Sequence, residues 1–588
     1  MPRERISARR LRIGLALILV MLLVLGFRLF YLQALDPAGW AKAAVGKRLT
    51  HVDVPAIRGS ILDTNGKVLA RSVERFDLVV DQTHADSYKD EGYDRVVNPE
   101  TGEKETISLE QGLRELADAL GQDVDTLSRS LLGDDPYSVI ATGVTPQVKD
   151  KAVAVHFPGI YAKSTVQRIY PKGQVAGSIV GFMNAEGPAA GLELMQNERL
   201  SGEPGSKTFE IGGDGIRIPY ATNEVVPAKD GQSIRLTINE DLQWYAQQVI
   251  GAQVEEYDAQ WGNIVVVEAD TGKVRAMAES TTPDPNNPGK TLPEFRLPLS
   301  VTASYEPGST TKLITMAAAL EEGIIEPTSK FEIPTSYTVD GQTFSDAFDH
   351  GTVHMTAAGI FAKSMNTGTV MIGEQLSKQK RYEWLQKFGI GQPTGIGLNG
   401  ATAGLLAEPK DWDVRQQYTV LFGQGLAQTS LHTAMAYQII ANDGVRLKPQ
   451  LVEAYIDPDG TEHIIEPEEG ERVVSEDTAG TLRKMLETVT EKGSGKQGKL
   501  EEYRVGSKTG TAEASSPQGG YDGYTLSYAG MAPLESPEYV VVVTLQRPQG
   551  DLYYLLPGNS FKKVMLRVLQ MNNVPPSTGK PETFPLEY

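Results

Sequence analysis

Cysteine is absent from all 588 residues, and histidine occurs only 7 times. The first absence excludes disulfides, thiolate nucleophiles and cysteine-based metal sites, and it suits an oxidising exterior where free thiols are a liability. The histidines make no metal case. His350 and His354 are four apart but separated by Gly351 and Thr352, no His-Glu-x-x-His pattern occurs, and both read as surface or loop residues. Gly-x-Ser-x-Gly is also missing, which removes the commonest serine-hydrolase signature. Positive charge is in deficit, with a net charge of −19, so nucleic acid is a poor partner. Internal repeats of roughly 20–50 residues and long low-complexity tracts are missing as well.

The charge deficit stops at the N-terminus. The first twelve residues hold five arginines, Arg3, Arg5, Arg9, Arg10 and Arg12, against Glu4, and an unbroken apolar run from Ile13 to Phe27 follows. A basic start followed by an apolar run predicts a membrane helix that begins in the cytoplasm. Leu11 before the run and Leu29, Phe30, Tyr31 and Leu32 after it extend the helix, with Arg28 snorkelling, towards the ~20 residues a span requires. A cleaved signal peptide is the rival reading. Small residues at a cleavage position are missing where the core ends, at Phe27 to Leu32, and the first Ala-x-Ala, Ala41-Lys-Ala43, comes too late.

Length predicts more than one domain, with a seam between Gly212-Gly-Asp-Gly215 and Asp230-Gly-Gln-Ser233. Before the seam, Arg58 to Ala70 reads as a hairpin with an Asn65-Gly66 turn, and helical patterns follow at Leu109 to Leu120 and Val124 to Leu132. After it, Ile234 to Ile238 alternates as a strand, Asn239 caps a helix from Asp241 to Val249, and Ile264–Val267 and Val274–Met277 flank an Asp270-Thr-Gly272 turn. This is the opening of an α/β domain. Tyr539 to Leu545 is apolar enough to be a central strand, and Pro575-Pro576 to Tyr588 reads as a loose tail.

Three short strings carry the chemistry: Ser309-Thr-Thr-Lys312, Ser364-Met-Asn366 and Lys508-Thr509-Gly510. Ser-x-x-Lys alone is weak, since it recurs at Ser377 to Lys380 without a Pro-Gly lead-in. Order and separation make the trio specific: Ser364 lies 55 residues after Ser309, and Lys508 lies 199 after it. A serine hydroxyl is a weak nucleophile, so Ser309 needs a base within reach, and Lys312 one helical turn along serves if burial and a second cation, Lys508, keep it neutral. Ser364 and Asn366 suit a proton relay and an amide contact, although both residue types also favour helix caps. Lys508, Thr509, Gly510 and Thr511 form a strand against whose edge a peptide can lie, its carboxylate near Lys508 and Thr509, with Gly510 allowing close approach. The backbone N–H groups of Ser309 and Thr511 are candidates for an oxyanion hole. A phosphate loop is excluded, because Ser507 separates Gly506 from Lys508 and the upstream glycine spacing is missing.

With these strings in place, the chain resembles a class B penicillin-binding protein. Arg58-Gly to Leu69-Ala70, Arg168-Ile-Tyr-Pro171 with Gly181, and Gly191-Leu-Glu193 to Leu200-Ser-Gly202 are similar to the family's pedestal motifs. Tyr305-Glu-Pro-Gly308, Phe422-Gly-Gln-Gly425 and Tyr528-Ala-Gly-Met-Ala-Pro533 match in the catalytic half, so the likeness spans about residues 11 to 570. Glu306-Pro-Gly308 and Phe388 to Gly395 look like the septal branch rather than the elongation branch. Thr64 stands where the pedestal motif has a basic residue, which puts a local salt bridge in doubt.

The resemblance implies an α/β (α+β), serine β-lactamase-like transpeptidase domain with a central antiparallel sheet flanked by helices. An elongated mixed α/β pedestal and one transmembrane helix precede it. The expected division is a basic tail at 1–12, an anchor at 13–32, a dimerisation-type pedestal at 33–230, a transpeptidase domain at 231–572 and a proline-rich tail at 573–588. The implied catalytic set is Ser309, Lys312, Ser364, Asn366 and Lys508, with Thr509, Gly510 and Thr511 binding substrate and oxyanion, and no metal or organic cofactor. Implied partners are peptidoglycan stem peptides, β-lactams, a polytopic membrane glycosyltransferase and other division proteins. The implied location is the cell membrane, single-pass, with the N-terminus cytoplasmic and the catalytic domain outside. D,D-carboxypeptidase, β-lactamase and elongation-type transpeptidase are rivals within the enzymes, and a β-lactam receptor or division scaffold is the rival outside them.

Overall fold

The computed structural model describes residues 3–31, 33, 46, 48–83, 92–98, 103–210, 223–516, 518–550 and 556–588. Leu32, which ends the expected anchor, and the seam at Gly212-Gly-Asp-Gly215 lie outside these residues. A helix runs over Arg3–Phe30, and its Ala8–Phe30 stretch of 23 residues, unbroken in its apolar residues from Ile13 to Phe27, is unburied. At 1.5 Å per residue this stretch is about 34 Å long, enough to cross a hydrocarbon core of about 30 Å.

Two compact units divide the chain. The first comprises Met1–Ile57, Phe76–Thr165 and Gly202–Asp230. Its three-stranded antiparallel sheet pairs Leu49–Val54 with Gly205–Glu210, and the latter with Asn223–Val226. The two expected helices form over Leu109–Leu120 and Val124–Leu131, and their ends follow from capping. Ser108 and Asp123 each accept a backbone N–H of the first turn, and Gly121 closes the first helix in the left-handed region at φ 63°. Leu113, Leu116, Leu127 and Leu131 bury against Leu78, Val80, Tyr93 and Phe157 as a core of their own.

The second unit comprises Arg58–Arg75, Val166–Ser201 and Gly231–Tyr588. Segments 58–75 and 166–201, expected in the pedestal, therefore pack with the C-terminal half, because strand pairing is non-local and does not respect a linear cut. Here β1 (Ile61–Leu62) forms the expected hairpin with the start of β2 (Val68–Val80), whose residues from Phe76 onward belong to the first unit, and β1 runs parallel to β3 (Ser233–Leu236). Asn239 caps α1 (Glu240–Glu256) as read from the sequence, accepting from Leu242 N. Next come β4 (Trp261–Glu268), β5 (Val274–Glu279), α2 (Lys312–Glu321), α3 (Ala357–Lys363), α4 (Asn366–Gly373) and α5 (Ser430–Ala441). The unit closes with α6 (Glu476–Lys492), β6 (Gly506–Ser515), β7 (Tyr521–Ala532), β8 (Tyr539–Gln546) and α7 (Leu556–Met571).

The central sheet is antiparallel and ordered β5-β4-β8-β7-β6. The period-2 alternation of a strand splits its apolar residues between two cores. Ile264, Val266, Val541 and Val543 face α1 and α7, whereas Val265, Val267, Val540 and Val542 join α2, α5 and α6. This doubly covered sheet explains why β8 is buried at all eight positions. It also leaves β6 as an edge strand.

The three pedestal motifs meet at one carboxylate in this unit. Glu193, fully buried, accepts from Arg58 Nε and Arg168 Nε at 2.7 Å each, while Arg58 Nη1 donates to Asn197 at 2.7 Å. Thr64 does not leave a gap where a basic residue was expected. Its hydroxyl lies 3.3 Å from both Glu453 Oε2 and Arg275 Nη1, so the polar contact is kept through other partners.

The C-terminal segment corrects the loose-tail expectation. Ser577 N donates to Glu502 O at 2.9 Å, Phe584 N to Thr488 Oγ1 at 3.0 Å, and Thr356 N to Leu586 O at 2.9 Å. Prolines stop it from forming a helix, but its free carbonyls and its Phe584 and Leu586 side chains dock on the core.

Candidate active site

Ser309 sits on a 3₁₀ turn, Gly308–Thr311, that feeds directly into α2, and it is half-buried. The turn is held from two sides. Gly308 N donates to Gly423 O at 3.0 Å, and Glu306 Oε1 accepts from Gly425 N at 2.9 Å, so the Tyr305-Glu-Pro-Gly308 and Phe422-Gly-Gln-Gly425 strings form one support. On the other side lies β6. A Cβ on Gly308, at φ 58°, would stand 2.5 Å from Thr511 O, and one on Gly510 would stand 2.7 Å from Pro307 O and 2.2 Å from Ser527 Oγ. Glycine at both positions lets the Ser309 turn press on the strand edge.

Lys312 opens α2, one turn after Ser309, and is completely buried. Its Nζ donates to Ser364 O and Asn366 Oδ1 at 2.7 Å each and lies 3.5 Å from Ser364 Oγ. The two short bonds use both hydrogens of a neutral amine and leave its lone pair to receive a proton. Burial pushes the Lys312 ammonium down from the ordinary lysine range to about 7, against the pull of the Asp346 carboxylate.

Ser364-Met-Asn366 is a junction between two helices. Thr356 Oγ1 caps α3 by accepting from Gly359 N at 2.9 Å, and α3 ends at Ser364, which takes the left-handed conformation at φ 59°. A residue with a Cβ is strained there, at a cost of about 1–3 kcal/mol. In this conformation both the carbonyl and the hydroxyl of Ser364 face Lys312. Asn366 then begins α4. The cap reading is thus half right, because the same residues end one helix, start the next and meet the buried amine.

On β6 the residues alternate: Lys508, Gly510 and Ala512 are buried, Thr509 is half-buried, and Thr511 is exposed. Lys508 Nζ donates to Ser364 Oγ at 2.8 Å and to Thr509 O at 3.0 Å. Burial and, next, the like charge of Lys312 push the Lys508 ammonium well below its ordinary value. Ser364 Oγ therefore lies between two amines that cannot both hold a proton cheaply. Thr509 Oγ1 donates to Ser494 Oγ at 3.0 Å.

The structure brings Lys312, Ser364, Asn366 and Lys508 into direct contact and sets Ser309, Gly510 and Thr511 beside them. Ser377 to Lys380, the second Ser-x-x-Lys, is a helix cap, with Lys380 N donating to Ser377 Oγ at 3.2 Å. His350 lies in a loop, as expected, but its side chain is almost buried rather than at the surface, with Nε2 3.0 Å from Asp346 Oδ2. Asp346 and Ser494 had no motif to reveal them. The Gly493-Ser-Gly495 loop ahead of Lys508 was the only available cue for Ser494.

Known proteins resemble this chain over most of its length. Residues 262–566 match the penicillin binding protein transpeptidase domain, and 53–236 match the penicillin-binding protein dimerisation domain. The chain belongs to the penicillin-binding protein family. The penicillin-binding protein PbpB of Mycolicibacterium smegmatis is 35% identical over 98% of this chain and 92% of its own length. The peptidoglycan D,D-transpeptidase FtsI of Escherichia coli (strain K12) is 29% identical over 97% of this chain and 93% of its own. Among solved structures, penicillin-binding protein 3 of Mycobacterium tuberculosis, complexed with aztreonam, is 28% identical. It superposes with a TM-score of 0.69, covering 91% of this penicillin-binding protein and 100% of its own chain.

Proposed function

We propose that this chain is a membrane-anchored class B penicillin-binding protein of the septal branch, a serine-type D,D-transpeptidase that cross-links peptidoglycan stem peptides through an acyl-enzyme on Ser309. The observation that carries this reading is the convergence of Lys312 and Lys508 on Ser364 Oγ in a buried site one helical turn from Ser309. The relatives named for D,D-transpeptidation and solved with aztreonam support the substrate class and β-lactam acylation.

In this mechanism neutral Lys312 takes the Ser309 hydroxyl proton as Oγ attacks the penultimate D-alanyl carbonyl. The oxyanion that forms is held by the backbone N–H groups of Ser309 and Thr511. Collapse breaks the peptide bond. The proton reaches the leaving amino group through Ser364, whose oxygen is already bonded to Lys508, and D-alanine departs. An amino group of a second stem then attacks the ester, loses its proton back along the same path, and restores the Ser309 hydroxyl. A β-lactam enters the first half of this sequence, and its opened ring keeps the leaving nitrogen tethered to the acyl group. Thr509 and the edge of β6 take the donor peptide as an added strand.

The arginine-rich start supports a cytoplasmic N-terminus with the catalytic unit outside. A polytopic membrane glycosyltransferase and other division proteins are the partners this topology serves. Intact-mass and peptide-mapping mass spectrometry after penicillin treatment tests the reading, with a single adduct expected on Ser309. A depsipeptide donor with a D-amino acid acceptor is expected to give the aminolysis product. Hydrolysis alone, or an adduct elsewhere, overturns it.

A further inference from the structure

Asp346 follows directly on the strand Gln342–Ser345, and its side chain is 1% exposed. Its Oδ1 accepts the backbone N–H of Asn366 and, at 3.2 Å, that of Thr367, and its Oδ2 accepts the Thr367 hydroxyl. The first N–H groups of a helix have no partner within it. Met365, at the cap position of α4, makes no side-chain cap bond, so a residue 20 positions upstream does the capping. His350 Nε2 lies 3.0 Å from Asp346 Oδ2. A carboxylate oxygen accepts, so a hydrogen on His350 Nε2 would donate to Asp346 Oδ2, and His350 Nδ1 is buried without a protein partner.

We propose that Asp346 is a positioning residue for acyl transfer: it anchors the start of α4, through which Asn366 grips Lys312, and its negative charge, moderated by the His350 donor, favours a proton on that amine. The inference rests on the reading of Ser309 and Lys312 as nucleophile and base. Among the described residues, the ionisable groups acting on the Lys312 amine are Asp346 and Lys508, and those facing Asp346 are Lys312 and His350. Burial drives the proton off Lys312, and Asp346 opposes it. The balance leaves the amine close to neutrality, where a base is both free and strong enough to work.

The test measures the rate of fluorescent-penicillin acylation against pH for the wild type, Asp346→Asn, Asp346→Ala and His350→Phe, using the full chain. Asp346→Asn keeps an acceptor for α4 but loses the charge, so the acidic limb is expected to move down by about one pH unit. His350→Phe keeps the charge and removes a donor that moderates it, so the limb is expected to move up by about half a unit. Asp346→Ala also loses the cap, and its plateau rate is expected to fall about 100-fold. A merely structural Asp346 changes rates without moving either limb, and superimposed profiles overturn the inference. Should Asp346→Asn fail to fold, His350→Phe decides alone, and an unmoved or downward limb rejects it. Failure of the underlying reading is distinct, because the wild type would then carry no adduct on Ser309.

Discussion

Lys508 Nζ donates to Ser364 Oγ across 2.8 Å, joining a sheet edge to a helix junction 144 residues away in sequence. The same oxygen is 3.5 Å from Lys312 Nζ, so one hydroxyl serves two buried amines. This contact makes the proton inventory of the site a property of the fold, and several measurable consequences come from it.

Acylation is expected to fall as pH drops through about 7, where Lys312 takes up a proton and ceases to be a base. Below that midpoint the rate should lose about tenfold per pH unit. Stopped-flow acylation from about pH 5 to about pH 9 checks this, and a flat profile through neutrality contradicts it.

The buried amine also links stability to pH. Folding lowers the Lys312 value from the ordinary ~10.4 to about 7, so between these limits the unfolded chain binds more protons and stability rises with pH. Below about 7 both states are protonated and the dependence ends. The unfolding free energy of the wild type minus that of Lys312→Met is expected to grow by about 1–3 kcal/mol from pH 7 to 9. Denaturant titrations at the two pH values measure it.

Gly510→Ala places a methyl group 2.2 Å from Ser527 Oγ and 2.7 Å from Pro307 O, the carbonyl that leads into the Ser309 turn. Pro307 O is backbone and cannot rotate away, so β6 and Ser309 must separate. Acylation is expected to drop about 100-fold, the effect of roughly 1 Å of misplacement. Penicillin labelling under conditions where circular dichroism shows a folded chain tests this.

Glu193→Ala leaves Arg58 and Arg168 facing each other in a buried site with no carboxylate between them. Removing one partner of a buried ionic cluster costs about 3–5 kcal/mol. Thermal unfolding should show a clear fall in Tm, while acylation at a temperature where the fold persists should be unchanged.

Deletion of residues 577–588 removes the bond from Thr356 N to Leu586 O and the one from Phe584 N to Thr488. Thr356 caps α3, the helix that ends at Ser364, so the loss is expected to reach the site. A stability loss of about 2–4 kcal/mol and slower acylation are the expected results, read by denaturant unfolding and by labelling.

That the three strings lie together was legible because each pattern is local: a serine and a lysine one turn apart, and a lysine and a glycine on one strand, announce themselves by spacing. Elements with strong patterns were equally legible, from the Asn239 cap to the apolar β8. Asp346, His350 and the docked tail were not. Their partners lie from 4 to 230 residues away, and no local pattern of polarity separates a cap on a distant helix from an ordinary loop acid.

The amino-acid order by itself determined which groups are present: a serine hydroxyl, two lysine amines, an apolar N-terminal run and no thiol. Only the folded chain decided their protonation. Whether Lys312 is a base depends on how far water is excluded from it and on which charges stand near it, and both are set by side chains brought together from separate segments.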